Sequence, residues 1–150
     1  MSLPAHHLPT TRVLTASAGD HLLAFPSAAT GLITTCPCSA PPPGAAPWFA
    51  GVATWRGQVL WVLDLVGFSR TQVRTADQLM VVVDAGEQGA GWSVAISAPA
   101  NLTDATPIAG DLLTSCPCGW LRPCLLQDGR RAWLVDTVAI ANALQQPVAA

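Results

Sequence analysis

Two stretches of this chain, 72 positions apart, spell the same short pattern without a gap. Residues 48–65 read WFAGVATWRGQVLWVLDL and residues 120–137 read WLRPCLLQDGRRAWLVDT. Trp48, Gly57, Trp61 and Asp64 fall on Trp120, Gly129, Trp133 and Asp136, and Phe49, Val52, Val62 and Leu63 fall on Leu121, Cys124, Leu134 and Val135. A central glycine with apolar alternation on both sides is a strand–turn–strand signature. The chain is therefore expected to hold two copies of one β unit. Generic alternation does not explain a shared Trp, Gly, Trp and Asp in register.

The correspondence extends outward. Cys36-Pro37-Cys38 precedes the first copy and Cys116-Pro117-Cys118 the second, at an offset of 80. The eight additional positions match one insertion, nine residues at Ser39–Pro47 where Gly119 stands alone. Upstream, Leu23-Ala24-Phe25 resembles Val94-Ala95-Ile96, each following a glycine-containing turn. Each half is then roughly 65–70 residues, built from about five short strands.

At 150 residues the chain can bury a good core as one domain or two small packed ones. Its 51% apolar residues, 11% charged residues and mean hydropathy of +0.40 exclude disorder. Lysine is absent, and the seven basic residues are scattered arginines. A net charge of −2 with no basic cluster argues against nucleic acid. So little charge also suggests an apolar surface that a partner covers. MSLPAHHLPTTR has neither a charged n-region nor an apolar h-region, and no run reaches the ~18–20 apolar residues of a membrane helix. The expectation is a cytoplasmic protein without membrane insertion, its five cysteines mostly reduced.

Strands are expected at Arg12–Ala18, His21–Phe25, Thr30–Cys36, Phe49–Trp55, Gln58–Leu63, Gln78–Asp84, Trp92–Ser97, Leu121–Gln127 and Arg131–Val135. Ser39–Pro47, with four prolines, reads as an irregular loop. Asp136–Gln145 reads as a helix capped by Asp136, lined on one face by Val138, Ala141 and Leu144, and stopped by Pro147. Residues 1–11 read as a flexible arm and 146–150 as a frayed tail.

The stretch Ala46-Pro47-Trp48-Phe49-Ala50-Gly51-Val52-Ala53-Thr54-Trp55-Arg56-Gly57, followed by Val59, Val62, Leu63, Asp64 and Leu65, resembles a known signature. It is the P-x-x-x-x-G-V-x-N-L-R-G…V-P-V-I-D-L pattern of the CheW-like domains of bacterial chemotaxis. Gly19-Asp20-His21 through Phe25, Leu79–Val83 and Arg130–Leu144 are similar to that family's other strands and closing helix. The resemblance covers residues 12–145, with halves of about 12–75 and 76–145. It implies a mainly β fold: two intertwined five-stranded SH3-like barrels related by internal duplication, with a short C-terminal helix.

The resemblance also implies a non-catalytic adaptor without cofactors, coupling the cytoplasmic tip of a chemoreceptor to the regulatory domain of a CheA-type histidine kinase. Carried over by position, its partner-binding residues are Thr30, Leu32, Gly51, Arg56, Gly57 and Leu79. The sequence departs from the pattern where relatives place a glutamate at Leu32, Asn-Leu at Thr54-Trp55 and a proline at Trp61.

Each feature has a plainer reading as well. Arg56 is either an interface arginine or the exposed corner of a tight turn; Asp64 and Asp136 are read as caps on the backbone that follows. The duplicated tryptophans are read as core or inter-barrel packing rather than a ligand platform. No histidine (His6, His7, His21) has a partner at catalytic or ligand spacing, and GEQGAG lacks the order of a phosphate loop. Cys36, Cys38, Cys116 and Cys118 are read as reduced strand residues. The alternatives left to them are a redox-sensitive thiol pair or a thiolate metal site, either of which makes the chain a thiol-based redox or metal-binding β-barrel protein. No paired acid and base and no nucleophile constellation points to an enzyme.

Overall fold

The computed structural model describes residues 10–40, 43–67, 77–83, 91–111, 116–117 and 119–145. Within it, both copies of the duplicated segment are hairpins. Strands β4 (Phe49–Trp55) and β5 (Gln58–Leu63) join through Arg56-Gly57, whose φ values are 51° and 77°. Positive φ at both positions makes the tight two-residue turn whose twist matches that of the flanking strands. Strands β9 (Leu121–Leu126) and β10 (Arg131–Val135) join through Gln127–Arg130, and with Leu126 hydrogen-bonded to Arg130 the turn itself holds three residues against two. There the Gly129 N–H donates to the Leu126 carbonyl (2.9 Å) and the Leu126 N–H to the Arg130 carbonyl (2.8 Å).

That additional turn residue is cancelled by a bulge in β4, where the register jumps between Phe49↔Leu63 and Gly51↔Val62. Ala53 faces Leu60 as Cys124 faces Ala132. The offset is therefore 72 at Phe49 and Leu121, 71 along β4 and β9 beyond the bulge, and 72 again along β5 and β10. Ala53, not Val52, corresponds to Cys124. The absence of a gap in the sequence conceals two compensating insertions.

The remaining elements are β1 (Thr11–Ala18), β2 (His21–Pro26), a short 3-10 turn, β3 (Thr30–Ser39), β6 (Asp77–Val83), β7 (Trp92–Ala95), β8 (Ala98–Pro107) and helix α1 (Thr137–Gln145). They close two five-stranded barrels, β1-β2-β10-β9-β8 and β3-β4-β5-β7-β6. The orders match when β3, β4, β5, β6 and β7 are laid on β8, β9, β10, β1 and β2. Each barrel thus combines three strands from one half of the chain with a hairpin from the other. The borrowed hairpins enter through parallel pairing, β2 beside β10 and β7 beside β5.

Three expectations change in this frame. Strand β8 was not anticipated: Ala98–Pro107 has prolines near both ends and no apolar alternation, and pairing with β1 and β9 holds it. Its bulge between Leu14 and Ala16 is satisfied by the buried Thr15 hydroxyl, which donates to the Asn101 carbonyl (3.0 Å). Leu23-Ala24-Phe25 corresponds to Trp92-Ser93-Val94, since Trp133↔Leu23 mirrors Trp61↔Trp92. That slip of two residues preserves side-chain alternation, so the pattern could not reveal it.

The two Cys-Pro-Cys motifs are not equivalents either. Cys38 pairs with Ala53 as Pro107 pairs with Cys124, so the counterpart of Cys36-Pro37-Cys38 is Ala105-Thr106-Pro107. Cys116 lies in the connection that leads into β9.

One apolar cluster reaches across both barrels, including Leu23 and Phe25 of β2, Leu63 of β5, Trp92 and Val94 of β7 and Val135 of β10. All four β7 residues are buried. The equivalent tryptophans Trp48 and Trp120 meet edge-to-face, ring centroids 4.8 Å apart, so they straddle the pseudo-twofold axis. Their carbonyls accept from the Asp64 and Asp136 N–H groups at 2.8 and 2.9 Å. Both aspartates cap as expected: Asp64 Oδ1 accepts from the Gly67 N–H (2.8 Å) and Asp136 Oδ1 from the Ala139 N–H (3.0 Å). On α1 the buried residue is Ile140, while Val138 is 68% exposed, a correction to the expected apolar face. The helix lies on the barrels through Ile140, Ala139 and Leu144, because Asp136 sets its rotation at the end of β10. No helix among the described residues is long and apolar enough to cross a membrane.

Replacing Trp48 or Trp120 by alanine should each destabilise the fold by about 3 kcal/mol. The double variant should lose less than the sum, by about 0.5–1.5 kcal/mol, as expected for a direct aromatic pair. Urea unfolding of the four proteins measures this, and strict additivity would show that the rings do not interact.

Candidate partner-binding surface

All six residues expected at the partner surface fall in the β3-β4-β5-β7-β6 barrel or its hairpin turn. Thr30 and Leu32 pair with Val83 and Val82, and the bulge in β3 lies between them. Gly51 occupies the bulge of β4 with φ 142°. A Cβ there would collide with the Ser39 carbonyl oxygen and lie 3.1 Å from Cys38 Sγ, so the close approach of β3 to β4 requires glycine.

Antiparallel pairing of Cys38 with Ala53 sets the height of the Arg56-Gly57 turn. The β3–β4 pairing ends there, three residues before Arg56, and further along β3 Thr35 pairs across the other edge with Leu79. Leu79 is half-buried and packs on the core.

Arg56 is exposed, and its guanidinium carbon lies 4.4 Å from the centroid of the Trp55 ring. This cation–π contact supports the guanidinium at the position where the sequence departs from the family pattern with Trp55. Arg56 is also the single non-glycine residue with positive φ among those described. L-residues adopt that conformation at a cost of about 1–2 kcal/mol.

The sequence reading did not single out the apolar outer face of the same hairpin. Val59 is 59% exposed and Trp61 38%, and the Trp61 ring lies 5.3 Å from that of Phe49. The signal was the alternation of Val59 and Trp61 with buried Leu60 and Val62. On the other barrel, Leu102 of β8 and Leu125 of β9 are exposed.

The cysteines occupy different settings. Cys36 is buried in the cluster shared by the barrels, whereas Cys124 belongs to a separate cluster with Val13, Ala24 and Leu126. The Cys38 thiol points toward the Ala50 and Ser39 carbonyls, 3.9 and 3.8 Å away. Cys118 lies outside the described residues, and among those described no group of three or more His, Cys, Asp or Glu is placed to hold a metal. Burial pushes the Cys124 thiol up to about 11.

The chain matches the CheW-like domain family over residues 12–145. It belongs to that family. CheW-like domains are non-catalytic scaffold and adaptor modules of chemotaxis signalling. The crystal structure of the scaffolding protein TtCheW from Thermoanaerobacter tengcongensis is similar in fold, with a TM-score of 0.60 at 13% identity, covering 85% of this chain and 90% of that one. No curated protein matches the sequence significantly.

Two measurements test the CheW-like hairpin and its surroundings. Gly51→Ala should lower stability by about 2 kcal/mol or more, because the Cβ collides with backbone in a positive-φ position. Cys124 should resist alkylation at pH 8 in the folded protein and react on unfolding. The unfolded thiol ionises from its ordinary value of 9.0 while the folded one waits until about 11. Stability from this group is therefore present below pH 9 and lost as pH rises to about 11.

Proposed function

We propose that this CheW-like domain couples the cytoplasmic tip of a chemoreceptor to the regulatory domain of a CheA-type histidine kinase, with Arg56 at the centre of one contact. Family membership supports the adaptor role. The observation that carries the residue assignment is the backbone of Arg56, left-handed at an exposed turn where glycine or asparagine would fit without strain. Strain retained at an exposed position is a mark of function.

In this reading Gly57 completes the turn, and Gly51 holds β4 against β3 and so fixes the hairpin that carries it. Leu79 and the bulged Thr30–Leu32 segment border the same surface, and Phe49, Val59 and Trp61 continue it with apolar area. Leu32 and Trp61, where relatives place a glutamate and a proline, shift partner choice toward an apolar counterpart. The protein acts in the cytoplasm, where both partners present these domains.

Arg56→Gly separates folding from binding. The glycine variant should melt at the same or a higher temperature, and Arg56→Ala should melt close to the parent. Both should bind the kinase regulatory domain or the receptor tip about 30-fold more weakly, the loss of an interface arginine worth about 2 kcal/mol. Unchanged affinity for both partners would leave Arg56 as a turn residue and remove this assignment.

A further inference from the structure

The other barrel carries a cleft of about 410 Å³ where strands β2 and β10 part. Their parallel pairing covers only Trp133↔Leu23 and Leu134↔Ala24. The residues just before these pairs, Leu22 and Ala132, line the opening. In the first barrel the corresponding residues are Gly91 and Leu60, which precede the pair Trp92↔Trp61. There the Leu60 side chain fills the space, lying 2.6 Å from where a Gly91 Cβ would stand. In the second barrel the bulk is exchanged, with Leu22 in place of Gly91 and the buried Ala132 in place of Leu60, and the cleft lies beside them.

The lining combines an apolar wall with charges of both signs. Trp133, Pro123 and Leu22 form the wall, and Asp20, Asp111, His21 and Arg131 reach the cleft. The described ion pairs are Arg12–Asp104, Arg122–Asp136 and Arg130–Asp128, none of which uses these four side chains. Three of the five described arginines are thus paired, Arg56 lies over Trp55, and Arg131 alone has no such contact.

We propose that this cleft is a binding site for a small zwitterion, a free α-amino acid with an apolar or aromatic side chain. Its ammonium would sit with Asp20 and Asp111, its carboxylate would take the Arg131 guanidinium, and its side chain would lie on Trp133, Pro123 and Leu22. Opposite charges on one small ligand answer the opposite charges of the lining, whereas a simple cation leaves Arg131 unmatched and a simple anion leaves two carboxylates facing it. A volume near 400 Å³ is in the range of small-molecule sites. The site is independent of the adaptor role, and ligand occupancy would add a metabolite input to it.

Calorimetric titration of the full chain with L-leucine, L-phenylalanine and L-tryptophan tests the proposal, with N-acetylphenylalanine and phenylalaninamide as the blocked forms. At least one free amino acid should saturate with a Kd of about 1 mM or tighter, and both blocked forms should bind about tenfold more weakly. Ala132→Leu, which adds bulk beside Leu22, should abolish binding and, because Ala132 is buried among Val13, Ala24 and Cys124, should also lower the melting temperature. Arg131→Gln at an exposed position provides a second variant if Ala132→Leu fails to fold, and should weaken binding about tenfold. Absence of saturable binding by every amino acid would overturn the proposal. So would phenylalaninamide binding as tightly as phenylalanine, which marks a plain cation site, or full binding by either folded variant. Kinase affinity measured on the same variants should be unchanged, which separates failure of this site from failure of the adaptor reading.

Discussion

Each barrel closes on a hairpin supplied by the other half of the chain, and the remaining geometry follows from that exchange. Without β1–β2, the strands β8-β9-β10 would present open edges, and the same holds for β3-β4-β5 without β6–β7. The exchange puts β2 and β7 between the barrels, where one apolar cluster serves both. It also brings the equivalent residues Trp48 and Trp120 into contact on the pseudo-twofold axis. The barrels are therefore not independent folding units, and most of their closure depends on pairings distant in sequence.

Duplication supplies two similar frameworks, and small departures from symmetry distinguish their surfaces. One framework has a bulge in its first strand and a two-residue turn; the other has a regular strand and a longer turn. The position of Arg56 at the first turn is taken at the second by Asp128. Asp128 accepts hydrogen bonds from the Arg130 backbone and side chain, which hold its carboxyl below the usual range. Equivalent corners thus carry opposite charge, one over a tryptophan and one in a local ion pair. A similar contrast separates the filled cleft beside Leu60 from the open one beside Ala132. An adaptor that holds two different partners needs its halves to differ in this way, since identical surfaces would compete for one partner.

Local chemistry was legible where it acts through neighbours in sequence. Both hairpins, their glycine turns and the capping roles of Asp64 and Asp136 follow from residue type at short spacing. The family pattern singled out Gly51 and Arg56; the structure gives a physical reason for the glycine, a Cβ-free approach to Ser39, whereas Arg56 stands beside Trp55 at a positive φ that its backbone does not favour. Strand β8 was not legible, because its sequence carries no alternation and only its neighbours make it a strand. The helix face was misread because rotation of α1 depends on where β10 ends.

The residues themselves determined that this chain folds into duplicated β hairpins with a tight arginine-glycine turn, since turn chemistry and alternation act within a few residues. Which strands share a barrel was decided only in three dimensions. An offset of 80 lays Cys36-Pro37-Cys38 on Cys116-Pro117-Cys118 and one of 71 lays Leu23 on Val94, yet the pairings make Ala105-Thr106-Pro107 and Trp92 their counterparts. The slip at Leu23 is two residues, which leaves every side chain on its original face, so alternation cannot detect it. Register, barrel partnership and the open cleft beside Ala132 are set by hydrogen bonds and volumes contributed by strands far apart in the chain.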